Sequence, residues 1–249
     1  MRYCGGPVIG SRAVVTALAT VGGTANGQPV SGRVWVGADY YNLSLRVESD
    51  SRTAFILTAE RAVVQGDMSD GEGTLYLPGE QQIVRRASAR ALLEAVLGLP
   101  LTAQEFVSAF TGCGLTGGNL EARTLGTNAV RISMGNTVDL FLRRAGPQSP
   151  WTLFATSSES RGRAFRWRVE YEREQNDVLK SIRIRSEEAN RAPGRLFDLD
   201  LSLSQIQFSP LVVSETFSPT FPPGIQSVSL EMVRRQRSGS SLPLLTAVR

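Results

Sequence analysis

The sequence predicts a mainly β fold: a curved antiparallel sheet covered by a short helical pair inserted mid-sequence, with a short helix near the C-terminus. Three observations predict it. Apolar and polar residues alternate one by one through most of the 249 residues, as in strands with one buried face. Between Gly73 and Cys113, two strands, GTLYLP and QQIVRRA, meet at a tight turn and run straight into two short apolar helices, ARALLEAVLGL and TAQEFVSAF. Outside that stretch, helical spacing returns only in the C-terminal segment VSLEMVRR. A lid over a concave apolar sheet suits a container for something apolar better than a machine for bond-making.

Residues 1–12 are Gly-rich and aperiodic, a poorly ordered remnant outside a single domain over residues 13–236; residues 237–249 read as a loose tail. From Ala13 to Val21, Val15, Ala17, Ala19 and Val21 alternate with other residues. Asn26-Gly27 tolerates the positive φ angles of a type I′ turn, so the next strand runs from about Val30 to Ala38. Tyr41–Ser49 puts Leu43, Leu45 and Val47 on one face and Asn42, Ser44 and Arg46 on the other. Ala54–Ala59 is the next strand, and QGDMSDGEG over 65–73 is a polar loop whose one large apolar residue is Met68. Leu77-Pro78-Gly79-Glu80 fits a type II turn, with Pro second and Gly third. In the first helix Leu92, Leu93, Val96 and Leu97 leave little polar face. In the second, Ala103, Phe106, Val107 and Phe110 form one stripe, Thr102 and Glu105 have capping-box spacing, and Pro100 forces the break between the helices.

Strands resume at Leu120–Thr124, Ala129–Met134, Thr137–Arg144, Trp151–Ser157, Ala164–Glu172, Val178–Arg185 and Phe197–Phe208, with turns at Gly135-Asn136 and Asn176-Asp177. Phe165, Trp167, Val169 and Tyr171 share one face, and Arg166, Arg168, Glu170 and Glu172 share the other. In the last long strand Phe197, Leu199, Leu201 and Leu203 point inward.

Composition narrows the function. Hydrophobic content of 41% and charged content of 20% are those of a folded globular chain, and no apolar run is long enough for a membrane-spanning helix. The net charge of +4 is carried almost wholly by arginine, with Lys180 the one lysine, and no aromatic–basic nucleic-acid motif accompanies it. The chain has no histidine, which removes the commonest general base and metal ligand. No nucleic-acid partner, cofactor, metal or catalytic residue is therefore expected. Cys113 reads as a half-buried small residue. Cys4 is followed by two glycines, as after a lipidated cysteine, but Met1-Arg2-Tyr3 is not a lipobox and no apolar leader precedes it. Either the chain is cytoplasmic or its leader lies upstream.

The order strands, LLEAVLGLPLTAQEFVSAFTGC, strands, then DLDLSLSQIQFSP and ETFSPTFPPGIQSVSLEMVRR is similar to that of the LolA/LolB-like superfamily of bacterial envelope proteins, and most similar to an outer-membrane lipoprotein branch of it. The resemblance covers roughly Val14 to Arg235. It implies an incomplete, strongly curved antiparallel β-barrel of about 10–12 strands, with helices plugging its open side over an apolar cavity. It also implies a non-enzymatic carrier of acyl lipid or lipoprotein acyl chains, in the periplasm or at the inner leaflet of the outer membrane, with a membrane surface or an envelope protein as possible partners. The family's long N-terminal helix is missing here, and Met68 does not align with the exposed apolar loop residue of LolB.

On that reading the cavity wall consists of Val34, Val36, Leu43, Leu45, Leu75, Leu77, Leu140, Leu142, Trp167 and Val169. The lid consists of Leu92, Leu93, Val96, Phe106 and Phe110, and Cys4 is a possible lipidation site. The same residues are what any sheet core needs, so a solidly packed interaction module of an envelope assembly is the competing reading. Arg161, Arg163, Arg166 and Arg168 read as a solvated basic face. Asp198 and Asp200 could hold calcium, but no loop geometry supports it. Gly112–Gly118 lacks the Lys-Ser/Thr of a phosphate-binding loop.

Overall fold

The computed structural model describes residues 14–25, 28–38, 42–49, 52–60, 71–99, 101–111, 120–134, 138–158, 165–174, 179–188, 197–209 and 217–238. The strands are β1 (Val14–Ala25), β2 (Gln28–Ala38), β3 (Asn42–Ser49), β4 (Arg52–Glu60), β5 (Glu72–Leu77), β6 (Gln82–Ser88), β7 (Leu120–Thr124), β8 (Ala129–Met134), β9 (Val138–Arg143), β10 (Thr152–Ser158), β11 (Phe165–Arg173), β12 (Leu179–Glu188), β13 (Phe197–Ser209) and β14 (Gln226–Ser227). The helices are α1 (Ala89–Leu97), α2 (Ala103–Thr111) and α3 (Leu230–Ser238). All fourteen strands form one curved sheet that does not close, ordered β14-β6-β5-β4-β3-β2-β1-β13-β12-β11-β10-β9-β8-β7. Every pairing is antiparallel except the short β14–β6 contact. The count exceeds the 10–12 that the resemblance implies: the thirteen strands that alternation predicts all form, and the two-residue β14 is the one added.

Chain order and spatial order coincide along each half, so hairpins build most of the sheet, and the first long strand meets the last at its centre. β1 pairs with β13 over its whole length, from Val14↔Ser209 to Ala25↔Phe197. Gly23 is required there, since a Cβ would lie 2.1 Å from the Asp198 carbonyl oxygen. Alternation places the buried side chains as the sequence predicts: Leu43, Leu45 and Val47 on β3, Trp167, Val169 and Tyr171 on β11, and Phe197, Leu199 and Leu201 on β13. Leu203 is half-buried and packs at the margin.

The helices bury their apolar stripes on the β3–β6 half. Ser88 accepts a bond from the Ala91 amide at 3.2 Å and starts α1. Gly98 ends it in the left-handed region (φ 70°), its amide donating to the Glu94 carbonyl at 3.0 Å. The capping box of α2 forms as its spacing predicts: the Thr102 amide donates to Glu105 Oε2 at 2.8 Å, and the Glu105 amide to Thr102 Oγ1 at 3.1 Å.

One turn differs from the sequence reading. The β5–β6 loop spans Pro78–Gln81, closed by the Gln81 amide donating to the Pro78 carbonyl at 3.3 Å. The positive φ falls on Gln81 (52°), not on Gly79, so Pro78 takes the first turn position rather than the second. Paired strands on both sides fix the loop at four residues, which moves the left-handed position to its end. Cys4, Cys113, Met68, Pro100, Arg161, Arg163, the Gly112–Gly118 run and the turns at Asn26-Gly27, Gly135-Asn136 and Asn176-Asp177 lie outside the described residues.

Candidate functional site

The concave face gathers all fifteen predicted wall and lid residues. The ten wall residues come from β2, β3, β5, β9 and β11, and the five lid residues from α1 and α2. Each is at most 6% exposed, and all belong to one continuous cluster of buried apolar side chains. Alternation does this on the sheet, since facing strands keep equivalent parity: Leu45↔Leu57, Leu57↔Leu75 and Val36↔Leu45 are direct cross-strand partners. On the helices, three- and four-residue spacing does it, and Phe106 and Phe110 stack one turn apart with centroids 6.2 Å apart. Gly73 lets α1 sit down on the sheet, because a Cβ there would lie 2.8 Å from Leu92 Cδ1.

Beside this core, at the start of β3, the end of β4 and the start of β5, lies a solvent-open cleft of about 470 Å³. Leu43, Ala59 and Gly73 form its apolar side, Glu72 and Arg86 its charged side, and Phe217 reaches in from the C-terminal segment. Arg86 faces this way because a bulge in β6, between the Gly73↔Ala87 and Leu75↔Val84 pairs, holds it at φ 53°.

Sequence alternation missed a polar set on the wall. β10 carries an extra residue between Leu153 and Ala155 relative to β9. The bulge shifts the parity, so Thr156 and Ser158 turn inward opposite Leu140 and Val138. Thr156 Oγ1 lies 3.3 Å from the Tyr171 hydroxyl. Burial raises the Tyr171 pKa far beyond neutrality, against smaller opposing effects of Thr156 and Arg173, so the phenol stays protonated. No local sequence signal marks the bulge.

The opposite face of β11–β13 is a ladder of ion pairs. Arg183 grips Asp198 with two bonds of 2.8 and 2.7 Å and lies 3.9 Å from Asp200. Arg185 and Arg168 hold Glu170 at 2.6 and 3.0 Å. Asp198 and Asp200 therefore neutralise an arginine rather than form a cation site, and among the described residues no cluster of three or more acidic, Cys or His side chains could hold a metal. Arg168, expected in a solvated basic face, is paired.

No family model matches the sequence, and no curated protein matches it. The fold does match solved structures. Among them is the crystal structure of a DUF1329 family protein from Desulfovibrio piger, with a TM-score of 0.53 over 84% of this chain and 91% of that one, at 9% identity. The two chains share a fold. In this DUF1329-like fold, the concave face and the helices above it are where the predicted site residues converge.

Proposed function

We propose that this protein is a non-enzymatic carrier of acyl chains at the bacterial cell envelope, taking lipid or lipoprotein acyl groups between the concave sheet and the α1–α2 lid. The observation that carries the reading is the convergence of fifteen apolar residues, from five strands and two helices, under helices only nine residues long. Such short helices owe their stability to the packing beneath them, so lid opening and ligand entry draw on the same contacts. The cleft at Leu43 and Gly73 meets the foot of α1 and is the natural mouth. An acyl chain of about 12–16 carbons would gain on the order of 10 kcal/mol on leaving water, before ordering costs. That leaves ample margin for tight, reversible capture without bond-making groups.

One observation favours a second reading, the solidly packed module of an envelope assembly. The wall side chains are already buried without any ligand, Leu43, Leu45, Leu75 and Val169 to 0% exposure. Native mass spectrometry of the purified protein with fatty acid, phospholipid or lipopeptide separates the two. The carrier should hold about one acyl ligand per chain. A folded protein that takes none of the three overturns the carrier and leaves the packed module.

A further inference from the structure

Among the described residues Trp167 is the largest fully buried side chain, 2% exposed, and its indole N–H has no hydrogen-bond partner among them. A buried donor without an acceptor carries a desolvation penalty that native proteins rarely leave uncompensated. Its surroundings on the wall are not purely apolar. Ser158 is its cross-strand partner on β10, and Thr156 stands one inward row further along, opposite Val169. Thr156 and Tyr171 share one hydrogen bond but own two O–H protons, so one proton is not spent between them. Thr156, Ser158 and Tyr171 are 5%, 2% and 5% exposed. The β10 bulge is what turns the two hydroxyl residues inward, where unbroken alternation would have presented Ala155 and Ser157.

We propose that Trp167, with Thr156, Ser158 and Tyr171, forms an acyl-carbonyl subsite on the concave wall, in which the indole N–H donates to the carbonyl oxygen of an ester-linked acyl chain. The proposal rests on the carrier reading above and deepens it by naming the polar group of the cargo. The class follows from what the wall offers. It supplies donors in an apolar setting, which suits a neutral acceptor. A free carboxylate would bury a full charge, and Arg168 and Arg185 are engaged with Glu170 on the opposite face of the sheet. An ester carbonyl accepts the hydrogen bond and brings no charge. A few convergent polar groups on an apolar wall is how pockets fix the depth and orientation of a largely apolar ligand.

The test compares a medium-chain alkane with the methyl ester of the fatty acid of the same chain length. The readout is binding by the intact protein, together with its three indole N–H proton resonances. Trp35 and Trp151 are assigned by Trp35→Phe and Trp151→Phe, which leaves Trp167 by elimination even if Trp167→Phe fails to fold. We expect both probes to bind, the ester about three- to tenfold tighter, the difference a single hydrogen bond makes. The Trp167 resonance should move downfield with the ester and not with the alkane, and Trp167→Phe should bind both equally. Displacement of the ester by a diacyl phospholipid would assign the carbonyl to bilayer lipid, and displacement by a lipopeptide to a lipoprotein. If neither displaces it, the subsite is overturned. Equal binding of both probes with an unmoved indole signal overturns the subsite and leaves the carrier standing. Binding of neither probe overturns both.

Discussion

Gly73 lies under Leu92 of α1, and a single methyl group there tests how the lid is seated. In Gly73→Ala the new Cβ would meet Leu92 Cδ1 and the Thr58 carbonyl oxygen, each at 2.8 Å. Leucine can rotate away, but a backbone oxygen in a sheet cannot. Overpacking of this kind costs about 1–3 kcal/mol, more than the conformational gain of replacing glycine in a strand. The variant should show a lower denaturant midpoint with α1 displaced, and an unchanged midpoint would mean that the helix is not clamped here. Charge at the residue scale makes a different prediction. The hydrogen bonds of Arg183 hold the Asp198 carboxyl below its ordinary range, against some burial and with help from the charges of Arg183 and Arg185. A carboxyl whose pKa is lower in the folded state stabilises fully above its unfolded pKa, and loses that contribution as pH falls through the folded value. Stability should therefore fall below about pH 4, and Asp198→Asn should flatten that acid limb. At neutral pH the loss should stay under about 1 kcal/mol, because the pair is half exposed. An acid limb identical to that of the parent protein would remove Asp198 from the account.

Single elements explain why some of the fold can be read from the sequence and some cannot. Where an element keeps its period, its buried face is legible: Leu43, Leu45 and Val47 on β3, and Trp167, Val169 and Tyr171 on β11, lie as alternation places them. The α2 start is legible too, because Thr102 and Glu105 satisfy each other's amides within four residues of chain. Thr102→Ala should lower stability by about 1 kcal/mol, measured in urea, with the loss confined to α2 in amide exchange. Protection lost evenly across the sheet would mean that the cap does not act locally. What stays hidden is set by the partner strand rather than the element. The β10 bulge exists only relative to β9, so the inward turn of Thr156 and Ser158 leaves no mark in TLFATSS itself. The left-handed residue of the β5–β6 loop is likewise fixed by the register of two strands, and falls on Gln81 although Gly79 is available. The wall of the candidate site was thus readable as an apolar face, and its polar set was not.

At the scale of the whole molecule, an open sheet of fourteen strands has two edges to protect, and they are protected differently. The β7 edge is short, fully exposed and carries Glu121 and Arg123, charges that discourage pairing with another chain. The β6 edge is covered by the chain's own end. Phe221 packs on Tyr76 with ring centroids 5.2 Å apart, and Arg85 lies over the same ring. The backbone then docks along β6, with the Gln226 amide donating to the Gln81 carbonyl and the Val228 amide to the Ile83 carbonyl. Beyond the edge α3 returns to α1, burying Val233 completely and setting Arg234 3.6 Å from Glu94. One segment therefore guards a sheet edge and holds the lid helix from behind. Removing residues 217–249 should uncouple both roles at once. The β6 edge would be open to pairing, so the shortened protein should associate with rising concentration in light scattering. Alpha1 would lose its support, so its amides should exchange faster than those of β1 and β13, which pair at the centre of the sheet. A shortened protein that stays monomeric while α1 exchanges faster would assign the segment to the lid alone. One that associates with α1 still protected would make it an edge guard, and the acyl-chain lid would then have to open by α2 rather than α1.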